Sequence, residues 1–192
     1  MLVFLDTELT DLLGLKLLSI GLATMNPGQF LYAELDLNTA AGKARAKAST
    51  DFVRNGGVLE QWGLVPGAPG TEWEMGWRAG DWLLGLAAET GAKVEVAFNY
   101  SVDFELLECA IWDAGPWDQV LDVAIPINVN SITGTITGEL AAENFYEDLA
   151  KLGKLGIRRH HALADAQALR ETYIAVKAVG IASSAVTRRK AV

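Results

Sequence analysis

The chain holds one cysteine, Cys109, so it can form neither an internal disulfide nor a cysteine-based zinc site. No apolar run approaches the ~20 residues needed to cross a bilayer. The opening, MLVFLDTE, lacks the basic segment and small-residue cleavage site of a signal peptide. The expectation is a cytoplasmic protein with no membrane partner. Positive charge is scarce: 16 Lys and Arg against 24 Asp and Glu give a formal net charge of −8. Proteins that grip long duplex nucleic acid draw most of their affinity from basic residues, so a long-footprint binder is disfavoured. An enzyme that holds one or two nucleotides through metal ions is not, because carboxylates must hold the metals. There is no internal repeat, low-complexity block or glycine-rich phosphate loop.

What is present suits one domain. The length of 192 residues, 51% hydrophobic with six Trp, can bury a sizeable core. LVFLD (2–6), KLLSIGLAT (16–24) and FLYAELDL (30–37) are strand-length apolar runs, and NPGQ (26–29) turns the chain between the last two. In the third run, Phe30, Tyr32, Glu34 and Asp36 alternate with Leu31, Ala33, Leu35 and Leu37, which predicts a half-buried antiparallel strand. Residues 40–70 read as an irregular surface insert with a short helix. TEWE (71–74) is a capping box that opens a helix ending at Gly91. KVEVAF (93–98) is a fourth strand, 102–115 an amphipathic helix stopped by Gly115-Pro116, and DQVLDVAI (118–125) a fifth strand. Helices over about 137–152 and 161–179 close a domain of residues 1–180, with a flexible basic tail at 181–192. Three antiparallel strands followed by alternating helices and strands predict an α/β domain with a mixed sheet.

Three stretches carry chemistry. In FLDTELT (4–10), Asp6 and Glu8 are two apart, so both carboxylates leave an extended strand on one face. Such a pair costs free energy unless a cation lies between them, although most Asp-x-Glu strand ends are simply solvated. In AFNYSVDFELL (97–107), Asp103 falls in the first turn of a helix that follows a strand. A carboxylate there ordinarily serves as a cap, but the carboxyl end of a strand is also where open α/β sheets place their sites. In RRHHALADAQAL (158–169), Asp165 follows the chain's two histidines. Helical spacing pairs it with His161, and a histidine–aspartate pair at a helix start is more often structural than catalytic. Taken together, four carboxylates and a histidine match what two divalent ions and a base near neutral pKa require.

These motifs resemble, in order, the three signatures of the DEDD superfamily of 3′–5′ exonucleases. FLDTELT resembles Asp-x-Glu, AFNYSVDFELL resembles Asn-x3-Asp, and HHALADA resembles the His-x4-Asp of the DEDDh branch. That branch includes ribonuclease T, oligoribonuclease and the proofreading subunit of the bacterial replicative polymerase. Small stand-alone bacterial exoribonucleases with a DTE-x-T-D opening and an LxSIG second strand are the most similar, over most of residues 1–175. The resemblance implies a ribonuclease H-like fold, with a five-stranded mixed sheet of order 3-2-1-4-5 flanked by helices. It implies two Mg²⁺ or Mn²⁺ ions per site, with Asp6 bridging both, Glu8 and Asp165 ligating one, and Asp103 acting directly or through water. Its spacing makes His160 the general base, five residues ahead of Asp165, with LGIRR (155–159) a flexible approach and His161 a solvent-facing first-turn residue. The implied reaction releases nucleoside 5′-monophosphates from the 3′ ends of RNA or short single-stranded oligonucleotides. Thr7, Leu9 and Thr10 would meet the terminal ribose and base, and Asn99 and Tyr100 would line the pocket. Phe98 and Val102 depart from the histidine and aromatic that many relatives carry there.

A DNA proofreading or repair exonuclease is an alternative, as is a non-catalytic module that binds nucleic acid or protein on the same fold. Relatives often form homodimers, and an apolar helix face allows one here. Trp73 and Trp77, four apart on the capped helix, read as core, Trp62 as an exposed stacking platform, and Cys109 as a packing residue.

Overall fold

The computed structural model describes residues 1–11, 16–152 and 155–190, the stretch 181–190 through its backbone alone. A sheet runs through the molecule, built around β1 (Leu2–Leu9). Its neighbours are β2 (Leu17–Thr24), antiparallel from Val3↔Thr24 to Leu9↔Leu17, and a later parallel strand, Val94–Phe98. β3 (Phe30–Leu35) continues the antiparallel meander beyond β2.

The 40–70 insert is more ordered than expected. It forms α1 (Ala40–Ala48), α2 (Asp51–Asn55), a single 3₁₀ turn at Leu59–Gln61, and the two-residue strand β4 (Pro69–Gly70). β4 pairs in parallel with the edge of β3, so the sheet has six strands rather than five. The insert also overturns the expected half-exposure of β3. Tyr32 packs with Ala68 of the insert and with Ile157, Ala162 and Leu163, and the Gly63 N–H donates to Glu34 Oε1 at 2.8 Å, so both side chains are buried.

α3 (Glu72–Thr90) opens on the expected capping box: the Thr71 N–H donates to Glu74 Oε2 at 2.6 Å and the Glu74 N–H to Thr71 Oγ1 at 3.2 Å. β5 (Val94–Phe98) and α4 (Ser101–Ala114) follow. The expected strand at 118–125 is a correction, since most of it is α5 (Trp117–Val123). Trp117 and Val120 are both buried, a helical spacing of three that outweighs the β-branched composition. The strand begins only where that helix ends, as β6 (Ala124–Asn128), paired in parallel with β5. The sheet order is β4-β3-β2-β1-β5-β6, differing from expectation by the added edge strand. α6 (Asn130–Thr133), α7 (Ile136–Leu152) and α8 (Ala162–Lys190) complete the chain, α8 running past the expected end at 179. The side chains of the expected tail, 181–192, lie outside the described residues.

Helices cover both faces of the sheet, which is why β1 and β2 are apolar almost throughout. Val3 and Leu5 pack with Met75, Ala79 and Leu83 of α3 and Leu107 and Ile111 of α4. Phe4, on the opposite face, packs with Leu169 of α8 and Val129. The start of α8 comes very close to the sheet: a Cβ on Gly21 would lie 2.2 Å from the Ala162 carbonyl oxygen. Gly21 is the register partner of Asp6, so this glycine lets α8 begin directly beside the first acidic residue. Three tryptophan and cysteine expectations are corrected. Trp73 and Trp77 are 54% and 45% exposed, Cys109 is exposed, and Trp62 is half-buried with its indole N–H donated to the Leu35 carbonyl at 2.8 Å. No helix among the described residues is long and apolar enough to cross a membrane.

Candidate metal centre

β1 outruns its parallel neighbour. Its pairing with β5 ends at Phe4↔Ala97, whereas its pairing with β2 continues to Leu9. The unpaired edge beyond Phe4 carries Asp6, Thr7 and Glu8. By the pleat, Asp6 and Glu8 share the face of Phe4, which is the face α8 covers, and Thr7 shares that of Leu5, which α4 covers.

Each helix delivers one acid to this edge. Asp103, in the first turn of α4, accepts the Thr7 hydroxyl at 2.7 Å and the Thr7 N–H at 3.3 Å on Oδ1. Asp165, in the first turn of α8, accepts the Tyr146 hydroxyl on Oδ1 at 2.7 Å and the His160 N–H on Oδ2 at 3.1 Å. The side chains of Glu8, His160 and Asp165 bring ligand atoms within 4.8 Å of one another, a spacing that could hold a cation. Asp6 feels Asp165, Asp103 and Glu8 as neighbouring charges. The four acids predicted to hold the cations and the predicted base His160 therefore meet at one corner.

Electrostatics at this corner are unfavourable as they stand. Burial first, then the charges of Asp165, Asp103 and Glu8, push the Asp6 carboxyl well above the usual range. Burial and the charges of Asp165 and Asp103 push Glu8 up to about 8. Burial raises Asp103 to about 6 against the lowering effect of its Thr7 hydrogen bonds. It raises Asp165 to about 6 against those from Tyr146 and His160. Among the described residues, no Lys or Arg forms an ion pair with any of the four. Four hard oxygen donors, crowded and without an ion pair of their own, with only the more distant Arg159 charge acting on Asp165, fit a divalent ion well, because such an ion replaces protons and relieves mutual repulsion.

The two histidines diverge sharply. His160 adopts φ 65°, a left-handed conformation that costs a non-glycine residue on the order of 1 kcal/mol. It turns its ring toward Glu8 and Asp165, with the Phe52 ring edge-on at 5.0 Å. Burial and the nearby Arg159 charge lower its pKa, which favours a neutral imidazole able to accept a proton or ligate a cation. His161 is only 1% exposed, stacks on Tyr32 at 4.3 Å, and has neither ring nitrogen hydrogen-bonded. Burial pushes it down to about 4, so it is a neutral packing residue rather than the expected solvent-facing one. Helical spacing does join positions 161 and 165, but through the main chain: the Asp165 N–H donates to the His161 carbonyl at 3.0 Å.

The predicted substrate contacts divide by exposure. Thr7 and Thr10 are buried, Thr7 bound to Asp103 and the Thr10 hydroxyl donating to Asp11 at 3.3 Å. Leu9 is half-buried against the core, Asn99 Oδ1 accepts the Thr133 hydroxyl at 2.7 Å, and Tyr100 is 66% exposed at the start of α4. Only Leu9, Asn99 and Tyr100 have side-chain surface to offer a ligand. Tyr146 and Gln61 were not foreseen. Neither lies in a motif, and each acts through a partner 19 or more residues away. Comparison with protein-family models, with curated proteins and with solved structures finds no match to the chain.

Proposed function

We propose that this chain is a metal-dependent 3′–5′ exonuclease of the DEDDh type on a ribonuclease H-like fold. Its partners would be the 3′ ends of single-stranded RNA or DNA in the cytoplasm, RNA or short oligonucleotides first. The observation that carries the reading is the meeting of Asp6, Glu8, Asp103, Asp165 and His160 at the carboxyl end of β1, with no ion pair to neutralise the acids. Bound Mg²⁺ or Mn²⁺ would supply charge neutralisation at the phosphate and acidify water.

The chain's own side chains would divide the remaining work. Asp6, Glu8, Asp103 and Asp165 would hold the cations. The Thr7 hydroxyl fixes Asp103, and the Tyr146 hydroxyl fixes one oxygen of Asp165, so the donor set is oriented in advance. His160, kept neutral by burial and by Arg159, would take the proton from the attacking water. Leu9, Asn99 and Tyr100 would receive the terminal nucleotide at the rim.

End-labelled single-stranded RNA and DNA, each given Mg²⁺ and then EDTA, test this. Stepwise release of 5′-monophosphates from the 3′ end, abolished by EDTA, is expected, with RNA the faster substrate. Faster cleavage of DNA would favour the proofreading alternative, and no release from any strand would sink the enzyme reading altogether.

A further inference from the structure

The segment that bears His160 is held from behind by the 40–70 insert. Gln61 is wholly buried, and its amide ties this segment to the insert. The two N–H groups of its Nε2 are shared among the carbonyls of Gly57 at 2.8 Å, Arg159 at 3.0 Å and His160 at 3.1 Å. Its Oε1 accepts the Arg158 N–H at 2.6 Å. One side chain thus grips three consecutive residues, Arg158 to His160, across nearly a hundred positions of sequence. Phe52, on the short helix α2 of the same insert, sets its ring at 86° to the His160 imidazole. Ile157, immediately upstream, is buried as well. The approach to His160 is therefore pinned rather than free to swing.

We propose that Gln61 and Phe52 are positioning residues for His160: Gln61 fixes the main chain and Phe52 the ring. His160 needs such help for a physical reason. Its left-handed φ is disfavoured for any residue with a Cβ, so without the Gln61 amide the segment would relax to ordinary φ. The imidazole would then leave the vicinity of Glu8 and Asp165. A displacement of about 1 Å in a reacting group can lower turnover by about 10²-fold. The insert, which lies outside all three motifs, would on this account complete the site. The inference rests on the proposed exonuclease reading for its catalytic meaning, and on geometry alone for the placement.

A double-mutant cycle with Gln61→Leu and His160→Ala tests it. Leucine keeps much of the buried volume and deletes every hydrogen bond. Gln61→Leu should lower kcat on a short RNA by about 10²-fold with KM changed less than about 3-fold. In the His160→Ala background the same substitution should cost less than about 2-fold, because its effect passes through the missing ring. An equal loss in both backgrounds would overturn the proposal and leave Gln61 a general structural residue.

Nuclear magnetic resonance in EDTA gives a second readout that does not need activity. The chain has two histidines, so its imidazole resonances are two sets, assigned by the His160→Ala variant. Gln61→Leu should move the His160 set and leave that of His161, buried against Tyr32, in place. Unmoved His160 resonances would overturn the proposal even if turnover fell. If Gln61→Leu does not fold, Phe52→Ala, at a position 54% exposed, enters the same cycle with the same expected pattern. A wild-type chain that releases no nucleotide would remove the exonuclease reading, and the resonance shifts would still decide the placement.

Discussion

The two halves of the acidic corner are held by different means. Asp6 and Glu8 stand on a central strand whose ladder with β2 fixes them residue by residue, from Asp6↔Gly21 to Glu8↔Ser19. His160 and Asp165 stand at a helix start held by side chains from elsewhere: Gln61 from the insert and Tyr146 from α7. Backbone pairing makes the first half stiff and tolerant of its surroundings. Individual hydrogen bonds make the second half dependent on a few distant residues. Substitutions in the strand half should therefore abolish cation binding outright, and those in the helix half should misplace groups that remain present.

The largest effect is expected at Asp6, where three other carboxylates converge. Asp6→Asn keeps the shape and removes a charge, and turnover should fall by about 10³-fold or more, with the Mn²⁺-induced rise in melting temperature lost. In EDTA near pH 8 the same variant should be more stable than the parent by about 1 kcal/mol, or roughly 2–4 °C, because the cost of burying an acid among three others is gone. Calorimetry with and without Mn²⁺ reads both. A metal-free variant less stable than the parent would show that Asp6 contributes something other than repulsion.

Next in size is the contrast between adjacent histidines. His160→Ala should reduce turnover by about 10²–10⁴-fold with little change in melting temperature. His161→Ala should keep most turnover per folded molecule but lose about 2–4 kcal/mol of stability, since it empties a buried site against Tyr32. A reversal of the two outcomes would move the reacting group to the residue that helical spacing favours.

These histidines show how much was legible in the sequence. The strand half was readable because a period of two and an apolar run place Asp6 and Glu8 on one face without knowledge of anything distant. The preference for His160 over His161 came from motif spacing, and what sets the two rings apart in space, the left-handed turn at 160 and the stack of His161 on Tyr32, was not visible. Nor was the burial of Glu34, which depends on Gly63 of the insert folding over β3. The strand expected at 118–125 failed because DQVLDV suits a strand by composition, and the buried spacing of Trp117 and Val120 is set by α5 packing. Local periodicity was legible; contacts between segments far apart in sequence were not.

The acid cluster should also make the metal-free protein sensitive to pH. Glu8 has a folded pKa of about 8, above its ordinary 4.5, so the stability tied to its protonated form is complete below 4.5 and lost as pH rises through 8. Asp103 and Asp165, raised from 3.8 to about 6, lose theirs as pH rises through 6. The melting temperature in EDTA should accordingly fall between pH 5 and pH 8.5. Mg²⁺ should oppose that fall, and its stabilising effect should grow with pH, because it binds the deprotonated acids. A cation effect that shrinks as pH rises would argue against carboxylate ligation.

Smaller effects separate the hydrogen bonds that orient the site from the ion pairs around it. Tyr146→Phe deletes one bond to Asp165 and leaves the ring beneath Arg159, so cation affinity should weaken by about 10-fold with the fold intact. The least effect is expected from Arg158→Ala. Its guanidinium pairs with Glu60 at 2.7 Å, but both side chains are more than half exposed, and such a pair contributes about 0.2–1 kcal/mol. The Arg158 N–H that Gln61 holds belongs to the main chain and survives the substitution. Turnover should stay within about 2-fold of the parent, against the far larger loss for Gln61→Leu at the position next to Glu60. Comparable losses from the two variants would mean that the exposed ion pair, rather than the buried amide, sets where His160 stands.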